Sequence, residues 1–223
     1  MDNSNPKSYL GLIIVLGSVW GLFEAGLGMG LRSCAAFVSG SIMTGVALFF
    51  LTAGWVVSRK ASGVLLMVII ASVFKMFDAL LLSLPIKHGA IGNPIFAFFM
   101  EAAALILLVS IVRDKLVRKS AGQALLGGVA ATLAVNLFPL VKYATGIPAC
   151  VAAGTGYPLS LYYIYVAVLV SCATVPLGFL AGASIESFAA RLRQSRAQGS
   201  LELILSPAAF ILCLVIVAVL RLA

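Results

Sequence analysis

Residues 62–84 read SGVLLMVIIASVFKMFDALLLSL, and this stretch decides the fold. Its residues are apolar or small and uncharged, except for Lys75 and Asp78. About 20 consecutive apolar residues are enough for an α-helix to cross the ~30 Å hydrocarbon core of a bilayer. A helix also satisfies its own backbone hydrogen bonds, which lipid cannot do for it. The stretch therefore predicts a transmembrane helix.

Six further windows have the same apolar character. They lie at residues 9–31, 35–57, 92–112, 121–142, 159–183 and 203–220. Charged or turn-forming residues separate them from one another. We therefore predict an all-α polytopic bundle of about seven spans, with a six-helix core plus a C-terminal helix, as a single integral membrane domain over residues 1–223.

The composition of the chain agrees with this prediction. Of its 223 residues, 62% are hydrophobic and 10% are charged, and the mean hydropathy is +1.15. Soluble domains are about 45–50% apolar and about 25% charged, and a soluble globule cannot bury so much apolar surface. These values exclude a soluble enzyme, a soluble nucleic-acid binder and a disordered chain. We interpret the net charge of +8 as loop charge and expect no nucleic-acid partner.

The distribution of lysine and arginine predicts the orientation of the bundle. Of 15 such residues, ten fall on one side of the predicted spans, four on the other, and Lys75 falls within a span. Arg221 is one of the four. The positive-inside rule then places the N-terminus in the cytoplasm and the loops after spans one, three and five outside. We expect a multi-pass protein of the cell (inner) membrane.

Four ionisable side chains lie inside the predicted spans, namely Glu24, Lys75, Asp78 and Glu101, and Asn136 is a polar companion. A rise of about 1.5 Å per residue places all five roughly 16–24 Å from the cytoplasmic edge, between the midplane and the outer half. A charge at mid-bilayer costs at least ~2.5–3.5 kcal/mol, so such residues normally face the bundle interior. Three carboxylates against one lysine leave a formal excess of two negative charges.

Two interpretations of this polar cluster stay open. In one, Lys75 neutralises a carboxylate within a structural network that fixes helix packing. In the other, the cluster is a ligand or ion site that opens outward, and the charge excess favours it because a structural network would be expected to balance. Trp20 lies one helical turn from Glu24, and Asn93 and Tyr162 lie above the cluster. The predicted substrate-binding residues are Glu24, Lys75, Asp78, Glu101, Asn136, Trp20, Asn93 and Tyr162.

No motif for catalysis or for a cofactor accompanies the cluster. His88 is the sole histidine, and the four cysteines are far apart with no CxxC pair, which argues against a metal or haem site. The sequence has no nucleotide-binding loop and no nucleophile elbow. We expect no enzyme activity, no metal and no cofactor, and an energy source that is an ion gradient or another subunit.

Two stretches resemble the substrate-binding S components of energy-coupling factor transporters. They are GSVWGLFEAGLG at residues 17–28 and GNPIFAFFME at residues 92–101. The size, the predicted topology and the polar cluster are also similar, and the resemblance covers at most the first six spans. It implies capture of a small vitamin-like ligand from outside. It also implies ATPase and scaffold membrane subunits as partners, which would dock through small residues of the first helix, here Gly17 and Gly21.

These observations lead to two functional hypotheses. The first is a membrane solute-binding and uptake protein with an outward-opening polar site, whose ligand is a small molecule, with the negative excess favouring a cationic one. The alternative is a non-transporting membrane subunit, an anchor or a proton-relay arm, of a larger complex. A relay needs polar residues that continue toward the cytoplasm, where Ser18, Ser72 and Ser110 are the sparse candidates.

Overall fold

The computed structural model describes residues 6–34, 38–112, 117–146, 149–151, 154, 156–193 and 198–222. The helices are α1 (Pro6–Cys34), α2 (Ser39–Ser58), α3 (Ala61–Leu81), α4 (Gly89–Ile111), α5 (Ser120–Leu137), α6 (Val141–Thr145), α7 (Leu159–Tyr162), α8 (Ile164–Arg193) and α9 (Gln198–Leu222). A 3₁₀ turn, Phe138–Leu140, joins α5 to α6. The described residues form no β-strand, only an isolated bridge between Val151 and Pro158.

Seven segments of the described chain are long and apolar enough to cross a membrane. They are Tyr9–Leu27, Ser39–Ser58, Ala61–Leu81, Gly89–Ile111, Ser120–Thr145, Ile164–Arg191 and Leu205–Leu222. The fifth comprises α5, the 3₁₀ turn and α6. The predicted all-α bundle of about seven spans is therefore confirmed. The predicted start of the second span at residue 35 lies outside the described residues, and α8 continues ten residues beyond the predicted end of the sixth span.

The helices pack around α2. This helix contacts α1, α3, α4, α5 and α8, and 61% of its span is buried inside the protein. In contrast, α9 packs against α1 and α3, and only 17% of the last span is buried. The fold is thus a six-helix core with α9 added along one face.

The α2–α8 interface depends on small residues. A Cβ atom added at Gly178 would lie 2.6 Å from the backbone oxygen of Phe49, closer than real Cβ atoms come. The hydroxyl of Thr174 donates a hydrogen bond of 2.7 Å to the backbone oxygen of Gly45 across the same interface. Helices in lipid associate through such close packing and interhelical hydrogen bonds, because lipid tails are as apolar as the side chains.

Gly17 and Gly21 serve the packing of α1 against α3. Both are buried, and an added Cβ would lie 3.1 Å from Ile70 Cβ at the first position and 2.5 Å from the Phe74 ring at the second. The family resemblance assigns to these glycines the docking of partner subunits. Because α3 covers them, they do not form a free docking surface in this fold.

We expect Gly178→Ala to destabilise the protein. The new methyl group would meet the Phe49 backbone oxygen, and overpacking costs about 1–3 kcal/mol, against a helix-propensity gain of about 1 kcal/mol. Thermal unfolding in detergent should therefore show a lower melting temperature. Gly26→Ala is the matched control, because a Cβ at that helical position has no neighbour within 4 Å. Equal shifts for the two variants would contradict the close α2–α8 contact.

Candidate functional site

A cavity of about 550 Å³ lies at the end of the bundle where α2 and α4 begin. Its wall is built from residues of α1, α2, α3, α4 and the end of the fifth span, together with Cys150, Leu159 and Ser160. The first, third and fifth spans end at this same end of the bundle. Most of the wall is apolar, and charged and polar side chains occupy a few positions in it.

Four of the eight predicted site residues line this cavity, namely Glu24, Lys75, Asn93 and Glu101. They come from three helices, α1, α3 and α4. Glu24 and Glu101 are each 4% exposed, and Lys75 is 6% exposed. Three of the five residues predicted to share one depth, Glu24, Lys75 and Glu101, therefore line a single cavity.

Three residues of the cavity wall carry a buried polar atom that has no hydrogen-bond partner among the described residues. These atoms are Oε2 of Glu101, Oδ1 of Asn93 and Oγ of Ser160. Buried polar atoms almost always have a partner, because leaving one without costs about 1–3 kcal/mol and more for a charged group. The wall thus holds hydrogen-bonding capacity that the described protein does not use.

Lys75 is held by two long contacts. Its Nζ donates to the backbone oxygen of Glu24 at 3.4 Å and lies 3.7 Å from Oδ2 of Asp78. Hydrogen bonds between charged groups are usually about 2.7–2.9 Å long, and an ammonium group has three protons to donate. These two contacts therefore leave part of the donor capacity of Lys75 unused at the cavity.

Asp78 lies outside the cavity wall and is bound by α9. Arg221 donates to it twice, from Nε to Oδ1 and from Nη2 to Oδ2, both at 2.8 Å. The same Nη2 lies 3.3 Å from the backbone oxygen of Ala25 in α1. This two-pronged geometry is the strongest form of a carboxylate–guanidinium contact. It ties α9 to α3 and α1 at once.

The guanidinium of Arg221 therefore lies among the charges inside the bundle, and the sequence count of charges within the predicted spans did not include it. Side chains of an α-helix lean toward its N-terminus, and the long arginine stem can reach back along the helix. From the end of α9 the guanidinium thus reaches Asp78 inside the bundle. With Arg221 counted, the formal excess of two negative charges becomes an excess of one.

The other three predicted site residues also lie outside the cavity wall. Trp20 is fully buried, and its ring packs on that of Phe98, a wall residue, with centroids 4.9 Å apart. Asn136 is exposed, and its amide donates to the backbone oxygen of Thr132 on its own helix at 2.8 Å. Thus Trp20 supports the wall from behind, and Asn136 faces away from it.

Tyr162 is exposed at the same end of the bundle. Its ring packs edge-on against that of Tyr163, with centroids 5.0 Å apart, and Tyr165 continues the group. Such a group is typical of the aromatic belts that anchor helices at a membrane surface.

Sequence reasoning missed the polar side chains at the start of α2. Ser41 and Thr44 line the cavity, and Thr44 faces the Glu101 carboxylate. Ser41 donates to the backbone oxygen of Tyr163 at 3.0 Å, which joins α2 to the residue between α7 and α8 beside the cavity. The sequence contained a signal for this pair, because Ser41 and Thr44 are three residues apart and such residues lie on the same face of a helix.

Pro94 interrupts the hydrogen bonding of α4 at the cavity. Proline has no N–H, so it cannot donate to the backbone oxygen of Ala90 four residues earlier. Both residues line the cavity. Backbone groups released by interrupted helices are a common feature of sites in membrane transporters. Among the described residues, no group of three or more His, Cys, Asp or Glu is placed to hold a metal ion.

Comparison with known proteins assigns no family. No protein-family model, no curated protein and no solved structure matches the chain. The resemblance to S components therefore depends on the sequence features alone.

We expect Arg221→Met to destabilise the protein strongly, because it leaves Asp78 buried without its main partner. Breaking a buried pair on one side typically costs about 3–5 kcal/mol, and replacing both partners costs much less. The double variant with Asp78→Asn should therefore recover most of the loss in thermal unfolding.

The control for this prediction is Glu186→Gln. It removes the 4.0 Å ion pair with Arg59, whose two side chains are 65% and 56% exposed, and exposed pairs contribute little. Equal losses in the single and double variants would show that Arg221 does not act through Asp78.

Proposed function

We propose that this multi-pass membrane protein binds a small solute in the cavity and takes part in its uptake. The supporting observation is the cavity itself, a space of about 550 Å³ within the bundle whose wall contains Glu24, Lys75 and Glu101. Charged groups at membrane depth are expensive for the fold and mark substrate or ion pathways. A ligand that uses them explains why the bundle retains both the space and the charges.

A purely structural network accounts poorly for Glu101. Its Oε2 has no partner among the described residues, whereas Asp78, which lies outside the cavity, is fully engaged by Arg221. The described cavity wall contains two acids, Glu24 and Glu101, and one lysine, Lys75. The net negative wall favours a ligand that carries a cationic group, since complementary charge gives specificity.

The arrangement gives less support to a proton-relay subunit. The hydroxyls of Ser18, Ser72 and Ser110 each donate to the backbone oxygen four residues earlier in their own helix, at 2.7–2.8 Å. These serines therefore do not connect the cavity to the opposite end of the described bundle. Stable co-purification with a redox partner, without any response to ligands, would favour this alternative.

The direction of opening and the partners are part of the proposal. The cavity lies at the end that the lysine and arginine count predicts to be outside, so we propose that it opens away from the cytoplasm of the cell membrane. If ATPase and scaffold subunits drive uptake, as in the family that the sequence resembles, they must dock without Gly17 and Gly21. They must also accommodate α9, which packs along α1.

A screen of cationic and vitamin-like metabolites by thermal stabilisation tests the ligand site. A ligand present at 100 times its Kd stabilises the folded state by about 2.7 kcal/mol, which a melting curve detects. We expect at least one compound to stabilise the protein, and Glu24→Gln and Glu101→Gln to remove the effect. Glu186→Gln, at the other end of the bundle, should respond like the native protein. No response, or an unchanged response in Glu101→Gln, would contradict the proposal.

Labelling of Cys150 tests the outward opening. This exposed cysteine lines the cavity, so a membrane-impermeant maleimide should label it in intact cells when the other three cysteines are replaced by alanine. A stabilising metabolite from the screen should slow the reaction. The matched control is Glu186→Cys in the same background, which should react only after the cells are permeabilised. The reverse pattern would show that the cavity opens to the cytoplasm.

A further inference from the structure

Lys75 occupies a special position among the charges of the bundle, because it lies between an acid that is already neutralised and a cavity. On one side, Asp78 receives two hydrogen bonds of 2.8 Å from Arg221, and Lys75 is 3.7 Å from it. On the other side, Lys75 lines the cavity. Arg221 therefore supplies the cation that Asp78 needs, and Lys75, whose charge also attracts the Glu24 carboxylate, is left at the cavity wall.

A ligand that carried only positive charge would leave the Lys75 ammonium without a short ion pair. An amine that binds Glu24 and Glu101 also brings a second positive charge close to the Lys75 ammonium, which repels it. A ligand that adds an anionic group can pair with Lys75 at the short distance that its present contacts lack. The wall, with two acids and one lysine, is thus complementary to a ligand with two cationic groups and one anionic group.

We propose that Lys75 binds a carboxylate of the ligand, that Glu24 and Glu101 bind its cationic groups, and that Arg221 is a positioning residue that keeps Lys75 free for this contact. The ligand class is then an amino acid with a cationic side chain, or a compound with the same charge pattern. This inference rests on the proposed function and specifies the substrate class of the same cavity.

The role of Arg221 follows from what its removal would do. Without Arg221, Asp78 is a buried carboxylate whose nearest cation is Lys75, already 3.7 Å away. The lysine would move to Asp78 and withdraw from the cavity. If Asp78 is also made neutral, nothing draws Lys75 away, and recognition of the carboxylate returns.

The test uses matched pairs of probes that differ only in the carboxylate, namely L-lysine with cadaverine and L-arginine with agmatine. Binding to the purified full-length chain in lipid nanodiscs is measured by equilibrium titration. For at least one pair we expect the native protein to bind the amino acid at least tenfold more tightly than its decarboxylated amine. Lys75→Met should abolish this preference while the amine still binds.

Variants of the ion pair then separate positioning from simple stabilisation. Arg221→Met should lose the preference for the amino acid, and Arg221→Met combined with Asp78→Asn should regain it. Glu186→Gln is the control and should keep the native preference. A merely structural role of Arg221 would weaken the binding of both probes equally and leave their ratio unchanged. If Arg221→Met does not fold, the double variant and Lys75→Met still decide the question.

The outcomes distinguish this inference from the proposed function. Equal or tighter binding of the amines, lost in Glu101→Gln, would overturn the role of Lys75 and leave the solute site in place. Failure of all four probes, when a metabolite without this charge pattern stabilises the protein, would overturn the charge pattern proposed for the ligand. Failure of the whole metabolite screen would overturn the proposed function as well.

Discussion

A charged side chain that enters the hydrocarbon core of a bilayer loses its water, and only another group of the protein or a ligand can replace it. The buried charged side chains that the structure describes in this bundle meet that demand to different degrees. Asp78 and Arg221 satisfy each other through two short hydrogen bonds, whereas Lys75 makes two long contacts. Glu101 retains an oxygen with no partner in the described chain. The hydrogen bonds and ion pairs available to these charged groups thus become fewer and longer from α9 toward the cavity.

The packing of α2 keeps these partly unpaired charges in place. The interface of α2 with α8 is closed by small residues such as Gly178, which bring the two backbones together, and by the hydrogen bond from Thr174 to the backbone oxygen of Gly45. On its other side, α2 faces α1, α3 and α4, the helices that carry Glu24, Lys75 and Glu101. One side of α2 is therefore a tightly packed support, and the other side borders the cavity.

The sequence was sufficient to predict the spans, because a span is marked by the length and apolar composition of one continuous segment. It was insufficient to predict the direction in which each side chain points around the helix axis. Asn136 was predicted to lie at the depth of the cluster but does not line the cavity, whereas Thr44 lines the cavity although it carries no charge. Rotation of a helix depends on its neighbours, so a single sequence does not determine it.

Arg221 illustrates a second limit, since its backbone position at the end of a span placed it in water by the usual reasoning. The length of its side chain allows the charge to lie far from the backbone that carries it, and Asp78 supplies the reason for it to do so. The pairing of Arg221 with Asp78 changes the kind of ligand that the cluster favours. A surplus of two acids favours a bare cation, whereas two acids with one available lysine favour a ligand that carries charges of both signs.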